Sequence, residues 1–202
     1  MSKTNPNWTI KPLSSETWPA FEQLAAKHNG VWGGCWCTWF HGNTGRLSKE
    51  ESNHDYKGRL TKTGQAHAAL VFEGDQAIAW CQFGSPTELP RVHSKKLYQS
   101  LDLQPPDYRI TCFFVDTDYR KQGVATIAIQ GALDMIASLG GGLVEAFPWN
   151  LEKKENLKQH AFCWHPCYVH KTGVRDYSPS GRQLTSCKKK LASRNLLKGT
   201  TK

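Results

Sequence analysis

Long hydrophobic runs are missing from this chain. Nowhere in its 202 residues is there the stretch of about eighteen apolar positions that a membrane-spanning helix requires. The first residues, MSKTNPNWTIKP, contain no apolar core of the kind a secretory signal uses. Both absences point to a soluble, cytoplasmic protein with no membrane partner. A regular cysteine framework is missing as well. The seven cysteines are odd in number and scattered, which favours free thiols in a reducing compartment over disulfides. Acidic residues are missing from residues 182–202, where Arg182, Lys188, Lys189, Lys190, Arg194, Lys198 and Lys202 stand. Removing those seven from the net charge of +9 leaves only +2 for the other 181 residues. A nucleic-acid reading of the charge thus shrinks to the C-terminal segment, and such an end is more often solvated and flexible than a binding arm. Binding there would be salt-sensitive and would vanish on deleting residues 182–202.

The chain suits one domain and is long enough to bury a substantial core. No internal repeat and no linker interrupts it, so residues 1–187 read as the domain and 188–202 as a basic flexible tail. WTIKPL (8–13) alternates as a strand. A helix follows, capped by Ser14 or Ser15, with Trp18, Phe21, Leu24 and Ala25 on one face and Asn29-Gly30 as its stop. Ser48 with Glu51 has capping-box spacing and predicts a second helix ending near Gly64. AHAALVFEG and QAIAWCQFG flank Gly74-Asp75 and read as a hairpin. Residues 85–107 are loop-rich, with one short helix around Lys95–Leu101.

The informative stretch is 109–147, RITCFFVDTDYRKQGVATIAIQGALDMIASLGGGLVEAF. An apolar strand runs into a polar turn carrying Arg120, Lys121, Gln122 and Gly123. A helix over about 123–139 follows, with Ile129, Ala132, Leu133, Ile136 and Leu139 buried, and Gly140–Gly142 end it before a second strand. The start of such a helix offers unpaired N–H groups and a positive dipole end, which suit a phosphate. Both the Gly-Lys-Ser/Thr ending of a nucleotide-hydrolysing loop and a GxGxxG fingerprint are absent here. A further helix is expected from Pro148 and Asn150 through LEKKENLKQ, then a final strand or hairpin to about Leu191.

FFVDTDYRKQGVAT, with its strand before and GGLVEAFP after, resembles motif A of the GNAT superfamily, the acyl-CoA-dependent N-acetyltransferases. GCWCTWFH and AIAWCQFGSPTELPR resemble one bacterial branch of that superfamily, so the likeness spans most of residues 8–175. It implies an α/β (α+β) single domain with a central mixed, mostly antiparallel sheet of about six or seven strands flanked by helices. It also implies acetyl-CoA as co-substrate, bound by Arg120, Lys121, Gln122, Gly123, Val124, Ala125 and Thr126. A side chain at position 123 would hold the backbone away from the pyrophosphate. The main chain of Phe113, Phe114 and Val115 would hold the pantetheine and the acetyl carbonyl, stabilising the oxyanion by about 3 kcal/mol per donor.

An alkylamine acceptor with a pKa of about 10 must lose a proton before it attacks. Glu145, on the strand after the helix, is the first candidate base and Asp116 the second, although positioning alone can suffice. The resemblance places a tyrosine acid for the leaving thiolate before a Gly-Phe pair. The matching stretch, CYVHKTGVRDY, has Gly173 but Val174 in place of the phenylalanine, and Val169 at the aromatic position. Tyr168, one residue early, is the candidate acid, and Phe162 stands where the family has an asparagine upstream.

Cys35, Cys37 and His41 supply only three ligands at an unusual spacing for zinc, and Cys163, His165 and Cys167 offer a second cluster that could complete a site, but buried or lining residues are the commoner reading. No metal is expected. Trp32, Trp36, Trp39 and Phe40 either join the core or form an aromatic acceptor wall suited to a cation or planar group. The function implied is acetyl transfer from acetyl-CoA to a primary amine of a small molecule, by direct attack in a ternary complex. A protein or peptide acceptor, or a non-catalytic acyl-CoA sensor, is the alternative. A homodimer is possible.

Overall fold

The computed structural model describes residues 7–42, 51–92, 95–100, 104–146, 175–177 and 186–191. Its elements run β1 (Trp8–Pro12), α1 (Trp18–Lys27), α2 (Asn53–Lys62), β2 (His67–Glu73), β3 (Gln76–Gly84), α3 (Lys95–Ser100) and β4 (Tyr108–Val115). Next come α4 (Val124–Ser138), β5 (Gly142–Ala146), β6 (Arg175–Tyr177) and β7 (Ser186–Leu191). The strands form one sheet of order β1-β2-β3-β4-β5-β7-β6. Among the described residues only β4 and β5 pair in parallel; the other neighbours are antiparallel. The expected mixed, mostly antiparallel sheet flanked by helices is what the chain builds.

Both faces of β2 and β3 are buried, which explains why their sequences read as near-continuous apolar runs. On one face Leu70, Phe72 and Trp80 meet Phe21 and Leu24 of α1 and Leu60 of α2. On the other face Ala69, Val71, Ala79 and Cys81 meet α4 through Ala128, Ile129 and Leu133. The hairpin at Gly74-Asp75 forms as expected, with Ile78 as an extra residue in β3 where the pairing shifts.

Helix starts differ from expectation. Ser14 Oγ does accept the Glu16 and Thr17 N–H groups (3.2 and 3.4 Å), but α1 begins only at Trp18, with Pro19 in its first turn. Thr17 is the capping residue, and its hydroxyl donates back to the Pro12 carbonyl at 2.7 Å. The helix does stop at Asn29-Gly30, where the Gly30 N–H donates to the Ala25 carbonyl (2.9 Å) and both residues have positive φ. The cap of α2 is Ser52, whose Oγ accepts the Asp55 N–H at 3.1 Å and donates to its carboxylate at 2.7 Å. Ser48 lies outside the described residues. Glu51 instead holds Arg59 through two hydrogen bonds of 2.8 and 3.0 Å.

Two expectations need correction. Cys37 and Cys112 are disulfide-bonded across 75 residues of sequence, while Cys35 and Cys81 are free. Scatter along the chain was a poor guide because β4 and the loop after α1 meet only in the folded core. Residues 188–191 belong to β7, which pairs with β5 from Cys187–Ala146 to Leu191–Gly142, so they complete the sheet. A lysine run does not advertise a strand, yet backbone pairing needs no apolar side chain. The helix expected from Pro148 and residues 192–202 lie outside the described residues.

The Phe21 ring is 1% exposed and meets Trp80 edge-on at 4.9 Å. Replacing it by alanine removes the largest apolar contact that α1 makes with the sheet. The Phe21→Ala variant should lose about 3–5 kcal/mol of unfolding free energy, measurable by urea denaturation.

Candidate functional site

The sheet changes phase in β4. Its pairing with β3 runs Ala79–Val115, Trp80–Phe114 and Cys81–Phe113, then resumes as Phe83–Ile110 and Gly84–Arg109. One extra residue therefore sits in β4 between Ile110 and Phe113, a bulge that bends the strand. Ile110 and Phe113, three apart, consequently pack on the same α4 side. On the other edge, β4 pairs with β5 at Tyr108–Val144, Arg109–Glu145 and Ile110–Ala146. Among the described residues that ladder ends at Ile110.

Strand parity then decides which backbone groups face which edge. The Asp116 N–H donates to the Ile78 carbonyl at 2.9 Å, so it points at β3. Two residues earlier, the main-chain groups of Phe114 point the same way, while those of Phe113 and Val115 point to the β5 side. This moves the main-chain expectation from Phe114 to its two neighbours. The Phe114 side chain is core, stacked on Trp80 at 4.8 Å with the His28 ring edge-on at 4.7 Å.

The turn after β4 aims α4. Asp116 caps a short 3₁₀ turn at Thr117–Tyr119 by accepting the Asp118 N–H at 3.2 Å. Arg120 Nε donates to the Val115 carbonyl at 3.3 Å, and Gln122 Nε2 to the Asp118 carbonyl at 3.0 Å. Lys121 has φ of 61° and Gly123 φ of +89°. A left-handed backbone at 123 favours glycine, and a Cβ built there would meet no atom within 4 Å. Residues 120–123 are exposed, and the first turn of α4 has no acidic residue. The Thr126 N–H donates to the Gly123 carbonyl at 3.0 Å; helix geometry leaves the N–H groups of Gly123, Val124 and Ala125 ahead of that bond without an intrahelical acceptor. The result is an exposed, basic turn whose backbone N–H groups precede the first hydrogen bond of α4.

The sequence model of the acetyltransferase (GNAT) family matches residues 35–163. The chain belongs to this family. No curated protein matches it. An N-acetyltransferase from Staphylococcus aureus has a similar structure (13% identity, TM-score 0.50), over 93% of this chain and 99% of that one. A mosquito arylalkylamine N-acetyltransferase-like protein is also similar (11% identity, TM-score 0.53), over 92% and 100% of the two chains. At these identities the likeness is one of fold.

Neither carboxylate picked out as a base stands open in this GNAT domain. Glu145 is fully buried and receives Tyr98 Oη at 2.9 and 3.1 Å and Arg109 Nε at 3.4 Å. Arg109 also donates to the Leu89 carbonyl at 2.8 Å, so the group ties the β4–β5 pairing to the loop before α3. Asp116 is equally buried, with Lys27 Nζ at 2.8 Å and His28 Nε2 at 3.4 Å. Burial alone would push the Asp116 carboxyl up. The Lys27 hydrogen bond, the Asp118 amide and the charges of Lys27 and His28 together hold it below its usual range. Sequence reasoning saw acids at strand ends but not the cations that claim them.

The aromatic segment divides. Trp32 is 43% exposed. Trp36 meets the His54 ring edge-on at 4.8 Å, while Trp39 packs on Phe40 at 4.8 Å beneath the Arg91 guanidinium at 4.2 Å. Positive φ values at Val31, Trp32, Gly33 and Gly34 make a left-handed turn closed by the Cys35 N–H on the Val31 carbonyl (2.9 Å). Tyr168, Cys163, His165 and Cys167 lie outside the described residues. Among the described residues no cluster of three or more His, Cys, Asp or Glu could hold a metal ion, and no helix is long and apolar enough to cross a membrane.

A buried polar group escaped the sequence reading altogether. Lys57 of α2 is 1% exposed; its Nζ donates to Gln82 Oε1 at 2.6 Å and lies 3.0 Å from His41 Nε2. Gln82 Nε2 continues to Thr111 Oγ1 at 3.1 Å. In the polar stretch NHDYKGRLTK one lysine looks like any other. Only its place on the helix, three residues before buried Leu60, hinted at an inward face.

Burial takes the Lys57 ammonium down to about 7, and burial with the Lys57 charge takes His41 to about 2. The unfolded chain therefore holds protons that the folded chain lacks from about 2 to 6.5 at His41 and from about 7 to 10.5 at Lys57. In both windows stability rises with pH. Cys81, whose thiol burial pushes up from 9.0, acts the other way above that value. Urea denaturation from pH 7 to 9 should show the wild type gaining stability relative to Lys57→Met as pH rises.

Proposed function

We propose that this GNAT domain transfers an acetyl group from acetyl-CoA to a primary amine of a small molecule, by direct attack in a ternary complex. The observation that carries this reading is the left-handed, exposed Gly123 at the start of α4, where a Cβ would enter open space. The N–H groups of Gln122, Gly123, Val124 and Ala125 would take the pyrophosphate, with Arg120 and Lys121 supplying charge and Thr126 closing the first turn. The phosphates need donors and positive charge, and the exposed turn with Arg120 and Lys121 ahead of α4 supports that role.

The thioester would lie along β4 beyond Ile110, against the main chain of Phe113 and Val115. An N–H from that edge would stabilise the oxyanion as the amine nitrogen bonds to the acetyl carbon. Collapse breaks the carbon–sulfur bond, the thiolate takes a proton and the new amide nitrogen loses one. Tyr168 is proposed as the donor to sulfur. Asp116 and Glu145, engaged by cations, would serve by holding the two ends of β4, and the amine proton would leave through water. The aromatic segment from Trp32 to Phe40, with Trp36 and Trp39 in it, supports an acceptor wall favouring a cation or a planar group.

The test is thiol release from acetyl-CoA against a panel of amines, polyamines, amino acids, aminoglycosides and peptides. Turnover with a small amine is expected; turnover with peptides alone would overturn the acceptor assignment. In calorimetry, Gly123→Glu should weaken acetyl-CoA binding by about a hundredfold or more, because it sets bulk, negative charge and a disfavoured backbone at one point. Unchanged affinity in a folded variant would remove the basis of the reading.

A further inference from the structure

Lys57 is an expensive residue to keep. Among the described residues no carboxylate lies within ion-pair distance of its Nζ, although the side chain is sealed in the interior. Glu88 acts on it only through space and is itself engaged by His67, through the ring at 2.7 Å and the backbone N–H at 3.1 Å. An ammonium buried without a carboxylate partner carries a desolvation cost, so fold stability is a poor reason for its presence.

The hydrogen bonds of Lys57 have a direction. Its Nζ fixes Gln82 Oε1, which sets the amide so that Nε2 points at Thr111 Oγ1. Gln82 lies on β3 at the pairing gap, between the Cys81–Phe113 and Phe83–Ile110 pairs. Thr111 is within the three-residue step of β4 that holds the extra residue. The side-chain chain therefore ends where the backbone ladder is interrupted and where a side chain has most influence on strand direction. Two residues on begin the main-chain groups that face away from β3.

We infer that Lys57 is a positioning residue for acyl transfer: through Gln82 it holds Thr111, and so sets how the β4 bulge presents the main chain of Phe113 and Val115 to the thioester. This rests on the proposed acetyl transfer at that edge. The groups facing Lys57 are His41 and Cys35 from the loop after α1, His67 from β2, whose ring Glu88 holds above the usual histidine range, Gln82 from β3 and Glu88 from the segment after β3. His41 stays neutral through the working range, so its ring does not compete for the same protons. Loss of the Lys57 proton near pH 7 changes what Nζ can donate to His41 and Gln82, and carries that change to Thr111.

The test uses the full chain, acetyl-CoA and whichever panel amine turns over. Thr111→Val keeps the shape of the side chain and removes the hydroxyl that accepts from Gln82; Lys57→Met removes the origin of the chain. Each should lower kcat about tenfold or more with acetyl-CoA affinity by calorimetry unchanged within about threefold. The double variant should be no worse than the poorer single one, since residues of one network do not add. A limb near pH 7 in the wild-type kcat profile should be absent from Lys57→Met. Full kcat in folded Thr111→Val, or multiplying losses in the double variant, would overturn the inference and leave the network a core filler. If Lys57→Met does not fold, Thr111→Val decides alone. Failure of the wild type to bind acetyl-CoA would instead strike the proposed reaction, and this inference with it.

Discussion

One extra residue in β4 governs this structure. An antiparallel strand bound on both edges would present every backbone group to a neighbour, leaving nothing for a ligand. The step between Ile110 and Phe113 breaks that regularity. It lets the lower part of β4 pair with β5 while Asp116 still donates to β3 at the other end. The strand then leads straight into the turn that aims α4, so the backbone donors of Phe113, Val115 and the 120–125 loop follow one another along a single path of chain.

Charged groups inside the domain brace that path at three points. Arg109, Glu145 and Tyr98 clasp the start of β4 to β5 and α3. Asp116, with Lys27 and His28, clasps its end to α1. Lys57, Gln82 and Thr111 reach the step between them. Buried ionic groups are weak sources of stability, because desolvation offsets their attraction. They are strong sources of geometry, because each tolerates few alternative arrangements. Three such braces on an eight-residue strand match a demand for position more than for cohesion.

The parts of the fold that depend on local chemistry were legible. The hairpin at Gly74-Asp75, the stop of α1 at Asn29-Gly30 and the strand–turn–helix around Gly123 all came from residues close in sequence. The start of α2 was misplaced because Ser48 with Glu51 and Ser52 with Asp55 offer the same spacing, and side-chain partners select between them. β7 was assigned in part to a tail because its lysines carry no apolar alternation, although β5 supplies the pairing. The carboxylates Asp116 and Glu145 were visible as acids but not as members of ion pairs, since Lys27 and Arg109 approach from other elements.

The sequence by itself determined the family and the strand–turn–helix around Gly123, on which the proposed anion site at Arg120–Ala125 is built. These follow from backbone preferences and helix-end dipoles that act within a few residues. Only the tertiary structure decided that Cys37 bonds Cys112, that Phe113 and Val115 rather than Phe114 face the β5 side, and that Lys57 lies in the interior. Each of these depends on register or on the packing of distant segments. Pairing parity, burial and charge compensation exist only between elements, and a linear string of residues does not carry them.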